Sequence, residues 1–147
     1  MNFLKKSAFT LTELLIVVLI IGLMSTLAAE TYVTTYEKSK GFNAVAMLRM
    51  IRAAERIYYM DWNTYTELTL TCGPATTGLV AGGYIQCPNT GSASDRAFNY
   101  TVTAPAANNF TATATRTGGR FTTQTIVLND VSGVPTWSGS WRSDWRP

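Results

Sequence analysis

An uninterrupted apolar run near the amino terminus constrains this chain more than any other feature. Residues Phe9–Ala29 comprise 21 positions rich in Leu, Ile and Val, and their one charged residue is Glu13. A helix of about 20 apolar residues spans the hydrocarbon core of a bilayer. Lys5 and Lys6 precede the run, and a cationic flank favours the cytoplasmic side, so we expect the rest of the chain to lie outside. The run predicts a membrane-inserted helix, which in its simplest form is a signal peptide or a signal anchor.

Glu13 is not explained by a simple anchor. A carboxylate in a membrane helix costs on the order of 2.5–3.5 kcal/mol near the bilayer centre, and such a group by default has a functional partner. Lys5 and Lys6 are the nearby cations of the same chain, and they lie more than a helical turn away. The other candidate is a positive group on a neighbouring copy. Glu13 therefore indicates that the chain assembles with other subunits through this segment.

The amino-terminal segment resembles that of type IV pilins and of type II secretion pseudopilins, and it reads KKSAFTLTELLIVVLIIGLM. In that family a prepilin peptidase removes a short basic leader before a phenylalanine, the new terminal amine is methylated, and the fifth mature residue is glutamate. The resemblance implies cleavage between Ala8 and Phe9, N-methylation of Phe9 and an assembly role for Glu13. Ala8 stands where the family usually has glycine, and Glu30 stands where many members have a helix-kinking proline.

An ion pair between copies would account for Glu13 in physical terms. A terminal ammonium at Phe9 of one subunit can neutralise Glu13 of the next inside an apolar filament core, where either charge alone is costly. Removing one partner of a buried pair leaves the other uncompensated, which costs about 3–5 kcal/mol. The pair would thereby fix the offset between neighbouring subunits.

We divide the chain into four parts: a leader at residues 1–8, a transmembrane or filament-core helix at 9–30, an amphipathic continuation of the helix at 31–61, and a globular head at 62–147. The continuation is predicted from apolar residues at three- and four-residue steps, which are Ala44, Met47, Leu48, Ile51, Ala54 and Tyr58. The charged residues predicted to lie mostly off this face are Arg49, Arg52, Glu55 and Arg56.

Two places in the predicted helix have weak helix propensity. The threonine-rich stretch at residues 30–35 and the glycine at Gly41 are where we expect any bend or local melting. No proline lies between Thr31 and Met60 to enforce either.

The head contains both cysteines of the chain, Cys72 and Cys87. Because the head is expected to face an oxidising compartment, we predict a disulfide between them. A loop with 14 residues between the cysteines is worth about 3 kcal/mol in the chain-entropy model. The spacing is not C-x-x-C and the chain has no histidine, so we expect neither a redox nor a metal role.

The last third of the chain predicts antiparallel strands, because β-favouring and small residues alternate in three segments, at residues 98–103, 110–116 and 123–129, with a short fourth at 134–137. The predicted fold class is α+β: a long N-terminal α-helix packed on an antiparallel β-sheet of three to four strands. The pilin resemblance implies the same fold. Trp137, Trp141 and Trp145 recur every four residues, and we expect one or two of them to pack on the sheet. An adhesive patch that binds a sugar or a partner is the alternative.

Composition argues against several function classes. Lys and Arg number 12 against 9 Asp and Glu, but loss of the leader removes two lysines and leaves a nearly neutral chain, so no specific nucleic-acid site is evident. The chain has no histidine, no glycine-rich phosphate loop and no evident carboxylate pair, so we expect no enzyme activity and no cofactor. Asp130 and Asp144 are too sparse to predict a calcium site.

The function predicted from the sequence is a structural subunit of a type IV pilus, either major or minor. A pseudopilin of a type II secretion system is the alternative, and a membrane-anchored extracellular binding domain is a lesser one. The expected partners are other pilin subunits in a homo- or hetero-oligomeric filament, the prepilin peptidase and methylase, and an inner-membrane assembly platform. The subunit would cross the inner membrane once before assembly into an extracellular pilus or a periplasmic pseudopilus.

Overall fold

The fold was analysed in a computed structural model, which describes residues 9–69, 71–72, 78–92, 95–106, 108–119, 121–139 and 141. Ala8, Asp144 and Trp145 lie outside the described residues. The chain divides into two compact units, with the boundary after Lys38. In chain order the described elements are α1 (Leu11–Trp62), β1 (Phe98–Ala106), β2 (Asn109–Arg116), β3 (Thr125–Asn129) and β4 (Thr136–Trp137).

Helix α1 matches the long helix predicted from the sequence. Its 52 residues contain two glycines and no proline. Every residue of the helix therefore keeps the backbone N–H that helical hydrogen bonds need. The helix continues through residues 30–35 and through Gly41, and the local melting considered at these places is not found. It ends after Trp62, where Asn63 adopts a φ of +53° and donates its N–H to the carbonyl oxygen of Tyr59 at 2.8 Å. A left-handed residue of this kind is a common helix C-cap.

The four strands form one antiparallel sheet in the order β1-β2-β3-β4, which confirms the predicted α+β class. Strand β2 alternates between buried and partly exposed positions, and its inward side chains include Phe110, Ala112 and Ala114. Strand β1 extends beyond the predicted end at Thr103, with a register shift between Thr103 and Ala106. An edge strand with an irregular end tolerates the proline in this stretch, because its backbone needs fewer ladder donors.

The core of the second unit lies between the sheet and the helix residues that follow Lys38. The small side chains of Ala112 and Ala114 are fully buried, which lets the helix approach the sheet closely. The predicted apolar face of the helix is confirmed, except that Met47 is half-buried. The helical members of this core are Ala44, Val45, Leu48, Ile51, Ala54 and Tyr58, and its largest strand residues are Phe98, Tyr100, Phe110, Ile126 and Leu128.

The tryptophans near the carboxy terminus close one end of this core. Trp141 is 3% exposed and stacks on Phe121, with ring centroids 4.7 Å apart. Trp137 meets Trp141 edge to face at 5.2 Å. A Cβ atom added at Gly41 would lie 2.9 Å from the Trp137 ring, so the indole reaches the helix because residue 41 has no side chain. Trp141 also stacks on Phe98 of β1, with ring centroids 6.3 Å apart, so the prediction that one or two tryptophans pack on the sheet is confirmed.

The turn after β3 is tied to the helix by one acidic residue. The Asp130 carboxylate accepts hydrogen bonds from Arg56 Nε at 3.2 Å and from the Tyr65 hydroxyl at 3.0 Å. Arg52 donates to the backbone carbonyl oxygen of Asp130 at 2.7 Å. Both carboxylate oxygens of Asp130, which was too sparsely accompanied to predict a calcium site, are therefore engaged by side chains of the same chain.

Candidate functional site: an exposed apolar helix with a capped carboxylate

The amino-terminal turns of α1, from Leu11 to Met24, present an exposed apolar surface. The large apolar side chains from Leu11 to Met24 are between 46% and 83% exposed. Within the described residues, α1 is the one helix that is long and apolar enough, by length and composition, to cross a membrane, and its most apolar part is not buried. A surface of this kind requires a cover of lipid or of other protein chains.

Glu13 is held at the start of this helix by Thr10. The Thr10 backbone N–H and hydroxyl donate to Glu13 Oε2 at 3.0 and 2.8 Å, and the Glu13 N–H donates back to the Thr10 hydroxyl at 3.3 Å. This reciprocal arrangement is a capping box, in which a threonine and a glutamate three residues later satisfy helix donors that have no partner within the helix. The Thr-x-x-Glu spacing was the available signal, and the sequence analysis missed it because it considered only cationic partners.

Phe9 lies immediately before the helix. It is 81% exposed and belongs to no helix or strand, so its backbone is accessible to other molecules. The other predicted processing residue, Ala8, is outside the described residues. Cleavage and methylation at this position stay predictions.

A second apolar stripe runs along the part of α1 that follows Lys38, on the side facing away from the sheet. At 100° per residue its members fall within an arc of about 80°, and all of them are exposed: Phe42, Ala46, Met50, Ala53, Ile57 and Met60. Arg49 and Arg56 border one edge of this exposed stripe, and both are themselves exposed. The buried face was predicted from the sequence, but the exposed stripe was not, although the residues of the stripe also recur at three- and four-residue steps.

Glu55 was grouped with the charged residues predicted to lie mostly off the apolar face. For Glu55 this prediction is wrong. Its spacing from Ile51 and Tyr58 puts it on that face, and it is completely buried. Oε2 accepts the Thr66 backbone N–H at 3.2 Å, while Oε1 has no hydrogen-bond partner in the described structure. Burial raises the pKa of Glu55 from the ordinary 4.5 to about 7, and the Thr66 N–H opposes that rise. The core of the head therefore contains a carboxyl group that changes charge near neutral pH.

Cys72 and Cys87 form a disulfide with a Cα–Cα distance of 5.7 Å. Between them Leu79 enters the core, and Tyr84 packs against Tyr58 of the helix with ring centroids 5.3 Å apart. The bond thus closes a segment that is attached to the helix by side chains and contains no helix or strand in its described part.

Comparison with known proteins gives one result, at the amino terminus. Residues 4–29 match the family described as the prokaryotic N-terminal methylation motif. No curated protein and no solved structure matches the chain. The matched residues include Phe9, Thr10 and Glu13 and most of the exposed apolar surface. The chain therefore carries the prepilin-type methylation signal of type IV pilins and pseudopilins.

Proposed function

We propose that this protein is a structural subunit of a type IV pilus. In this proposal a prepilin peptidase cuts between Ala8 and Phe9, the amine of Phe9 is methylated, and the subunit passes from the inner membrane into a helical filament. The observation that carries the proposal is the coincidence of the methylation motif at residues 4–29 with an exposed apolar helix that has a carboxylate in its first turn.

The chemistry of Glu13 supports an assembly role. A hydroxyl and one N–H from Thr10 satisfy Oε2 within a single copy, but these neutral groups leave the negative charge uncompensated. In an apolar filament core the charge requires a cation, and the terminal amine of a neighbouring Phe9 is a cation that every processed subunit carries. In the filament the Glu13 carboxylate would then give up part of its hydrogen bonding to Thr10 and form an ion pair with the amine of a neighbouring copy.

A pseudopilin of a type II secretion system is the second candidate, because the methylation signal is common to both classes. Asp130 favours the pilus. Its two carboxylate oxygens are engaged by Arg56 and Tyr65, so this residue is not free to contribute to the clustered acidic calcium site found in some pseudopilins. Deletion of the gene in its host separates the two candidates: loss of surface filaments supports the pilus, and loss of secreted enzymes with normal filaments supports the pseudopilin.

The first test is the mass of the mature amino terminus. Protein from cells that contain a prepilin peptidase is expected to begin at Phe9 with one added methyl group. A chain that begins near Glu30, or that still begins at Met1 in these cells, would contradict the proposal and favour an ordinary exported or anchored domain.

The second test separates the charge of Glu13 from its cap. Glutamine at the third helical position also completes a capping box, so Glu13→Gln keeps the local hydrogen bonds and removes only the charge. We expect Glu13→Gln and Glu13→Val to be inserted and cut normally but to yield few filaments, while Glu67→Gln, at an exposed head residue, assembles as the wild type does. Normal filament yield from Glu13→Gln would rule out the charge-pairing role.

A further inference from the structure

Glu30 is an isolated charge in the amino-terminal half of α1. No other charged residue lies between Leu14 and Tyr36. The Glu30 side chain is exposed, and the described structure gives it no hydrogen bond or ion pair, since Thr34 binds only its backbone carbonyl oxygen. If the apolar surface around it is covered by other subunits, the carboxylate loses water and requires a positive partner.

Arg49, in the carboxy-terminal half of the same helix, is a cation that could pair with this acid. It is exposed at the edge of the exposed stripe, and the described structure shows no partner for its guanidinium group. The two neighbouring arginines are already engaged: Arg52 donates to Asp130 O at 2.7 Å, and Arg56 pairs with the Asp130 carboxylate at 3.2 Å. Arg49 therefore remains available for an acid that comes from outside the subunit.

Glu30 and Arg49 do not pair within one copy. They are 19 residues apart on one helix, whereas helical side chains meet at spacings of three and four residues. An acid and an arginine on the same uninterrupted helix meet only when two parallel copies are displaced along the axis. For this pair the displacement is 19 residues of α1.

We propose that Glu30 of one subunit forms an ion pair with Arg49 of a second copy, and that the exposed stripe of this second copy covers the apolar surface around Glu30. The inference rests on the proposed filament function and names the partner of both surfaces. Opposite charge and apolar composition make the two surfaces complementary. Arginine suits this role because its guanidinium group binds a carboxylate through two parallel hydrogen bonds.

The pair would define an interface different from the one at the helix start. Joining Glu13 to the amine of Phe9 displaces two copies by four residues, about 6 Å of helix. Joining Glu30 to Arg49 displaces them by 19 residues in the opposite direction. One neighbour cannot satisfy both offsets, so each subunit would meet two neighbours through two separate charge pairs.

A charge exchange tests this inference in the full chain, in cells that contain the processing and assembly machinery. Glu30→Arg and Arg49→Glu each place like charges at the proposed contact, and the double variant restores opposite charges with the partners reversed. Filament yield is measured relative to the amount of subunit in the membrane. Glu67→Arg is the control, because it reverses an exposed glutamate in the head.

We expect each single variant to lower the filament yield about tenfold or more, because uncompensated charges in a covered interface are strongly unfavourable. The double variant is expected to recover to within about twofold of the wild type. Normal yields from both single variants, or a double variant no better than the single ones, would overturn the pairing.

These outcomes are distinguishable from failure of the proposed function. Suppose that the wild type is cut at Phe9 and forms filaments, and that Glu13→Gln forms few. A failed charge exchange then contradicts only the proposed Glu30–Arg49 contact and leaves the pilus assignment in place. If the wild type forms no filaments and is not cut at Phe9, the pilus assignment itself is wrong.

Discussion

The buried carboxyl group of Glu55 makes the stability of the head depend on pH. Its side chain is fully buried between the helix and the segment that contains Thr66, and burial raises its pKa to about 7. In the unfolded chain the group returns to a value near 4.5. The folded state therefore binds this proton more tightly than the unfolded state does, and the free energy of unfolding falls as the pH rises.

The size and the pH range of the effect follow from these two values. One pKa unit corresponds to about 1.36 kcal/mol, so a rise from 4.5 to about 7 corresponds to about 3 kcal/mol of stability that is present at low pH and absent above pH 7. The loss begins where the unfolded carboxyl ionises and is complete where the folded one does. About 2.5 kcal/mol of it falls between pH 5 and pH 8.

The other ionisable side chains of the core do not explain this pH dependence of the free energy of unfolding. The sheet presents two ionisable side chains on its inward face in the described structure, Tyr100 and Arg116. Burial raises the pKa of Tyr100 to about 12, so it stays neutral. On the helix and the following segment, Arg56 and Tyr65 are bound to Asp130. The chain contains no histidine.

The assay is urea unfolding of the full chain in detergent micelles at pH 5, 6, 7 and 8, followed by near-ultraviolet circular dichroism of the head aromatics. Glu55→Gln preserves the shape and an oxygen that can accept the Thr66 N–H, but it cannot ionise. We expect this variant to show a flat profile, so that its free energy of unfolding gains about 2.5 kcal/mol on that of the wild type between pH 5 and pH 8. Glu67→Gln controls for the loss of one exposed carboxylate. Parallel profiles for the wild type and Glu55→Gln would refute the reasoning.

Three further predictions concern packing, the disulfide and the exposed stripe. Gly41→Val is expected to lower the free energy of unfolding by about 1–3 kcal/mol because its Cβ meets the Trp137 ring, and most of that loss should disappear in a Trp137→Leu background. Replacing Cys72 and Cys87 by serine is expected to cost about 3 kcal/mol, and an unchanged urea midpoint would contradict this. Met50→Ser is expected to change the unfolding free energy by less than about 0.5 kcal/mol but to reduce filament yield, and normal filaments from it would show that the stripe is not an interface.

The sequence predicted the elements of the fold well wherever one periodicity dominated. The apolar face from Ala44 to Tyr58 follows from its spacing alone, and the inward residues of β2 follow from simple alternation. Strand ends were less predictable because local backbone geometry determines them. Strand β3 begins at Thr125 and not at residue 123, because Thr123 has a φ of +71° and belongs to the preceding turn.

The candidate site was only partly predictable, and each feature that was missed has its own physical reason. Glu55 was judged by its charge, although its position between Ile51 and Tyr58 placed it on the buried face. The exposed stripe was overlooked because one apolar face is enough to explain a helix that packs on a sheet. The partners of Glu13 and Asp130 depend on hydroxyl groups of Thr10 and Tyr65, and hydroxyl contacts leave no charge pattern in a sequence.

The position of the exposed stripe bears on what would drive filament formation. Lipid and protein cover apolar side chains about equally well, so transfer of the segment from Leu11 to Met24 out of the bilayer contributes little net hydrophobic free energy. The exposed stripe lies on the part of the helix predicted to be outside the membrane, where water contacts it before assembly. Burying such surface contributes about 25 cal/mol per Å². In the proposed filament the stripe would therefore supply affinity, while Glu13, Glu30 and Arg49 would set which offsets are allowed. The Met50→Ser variant tests the first half of this division, and the charge exchange tests the second.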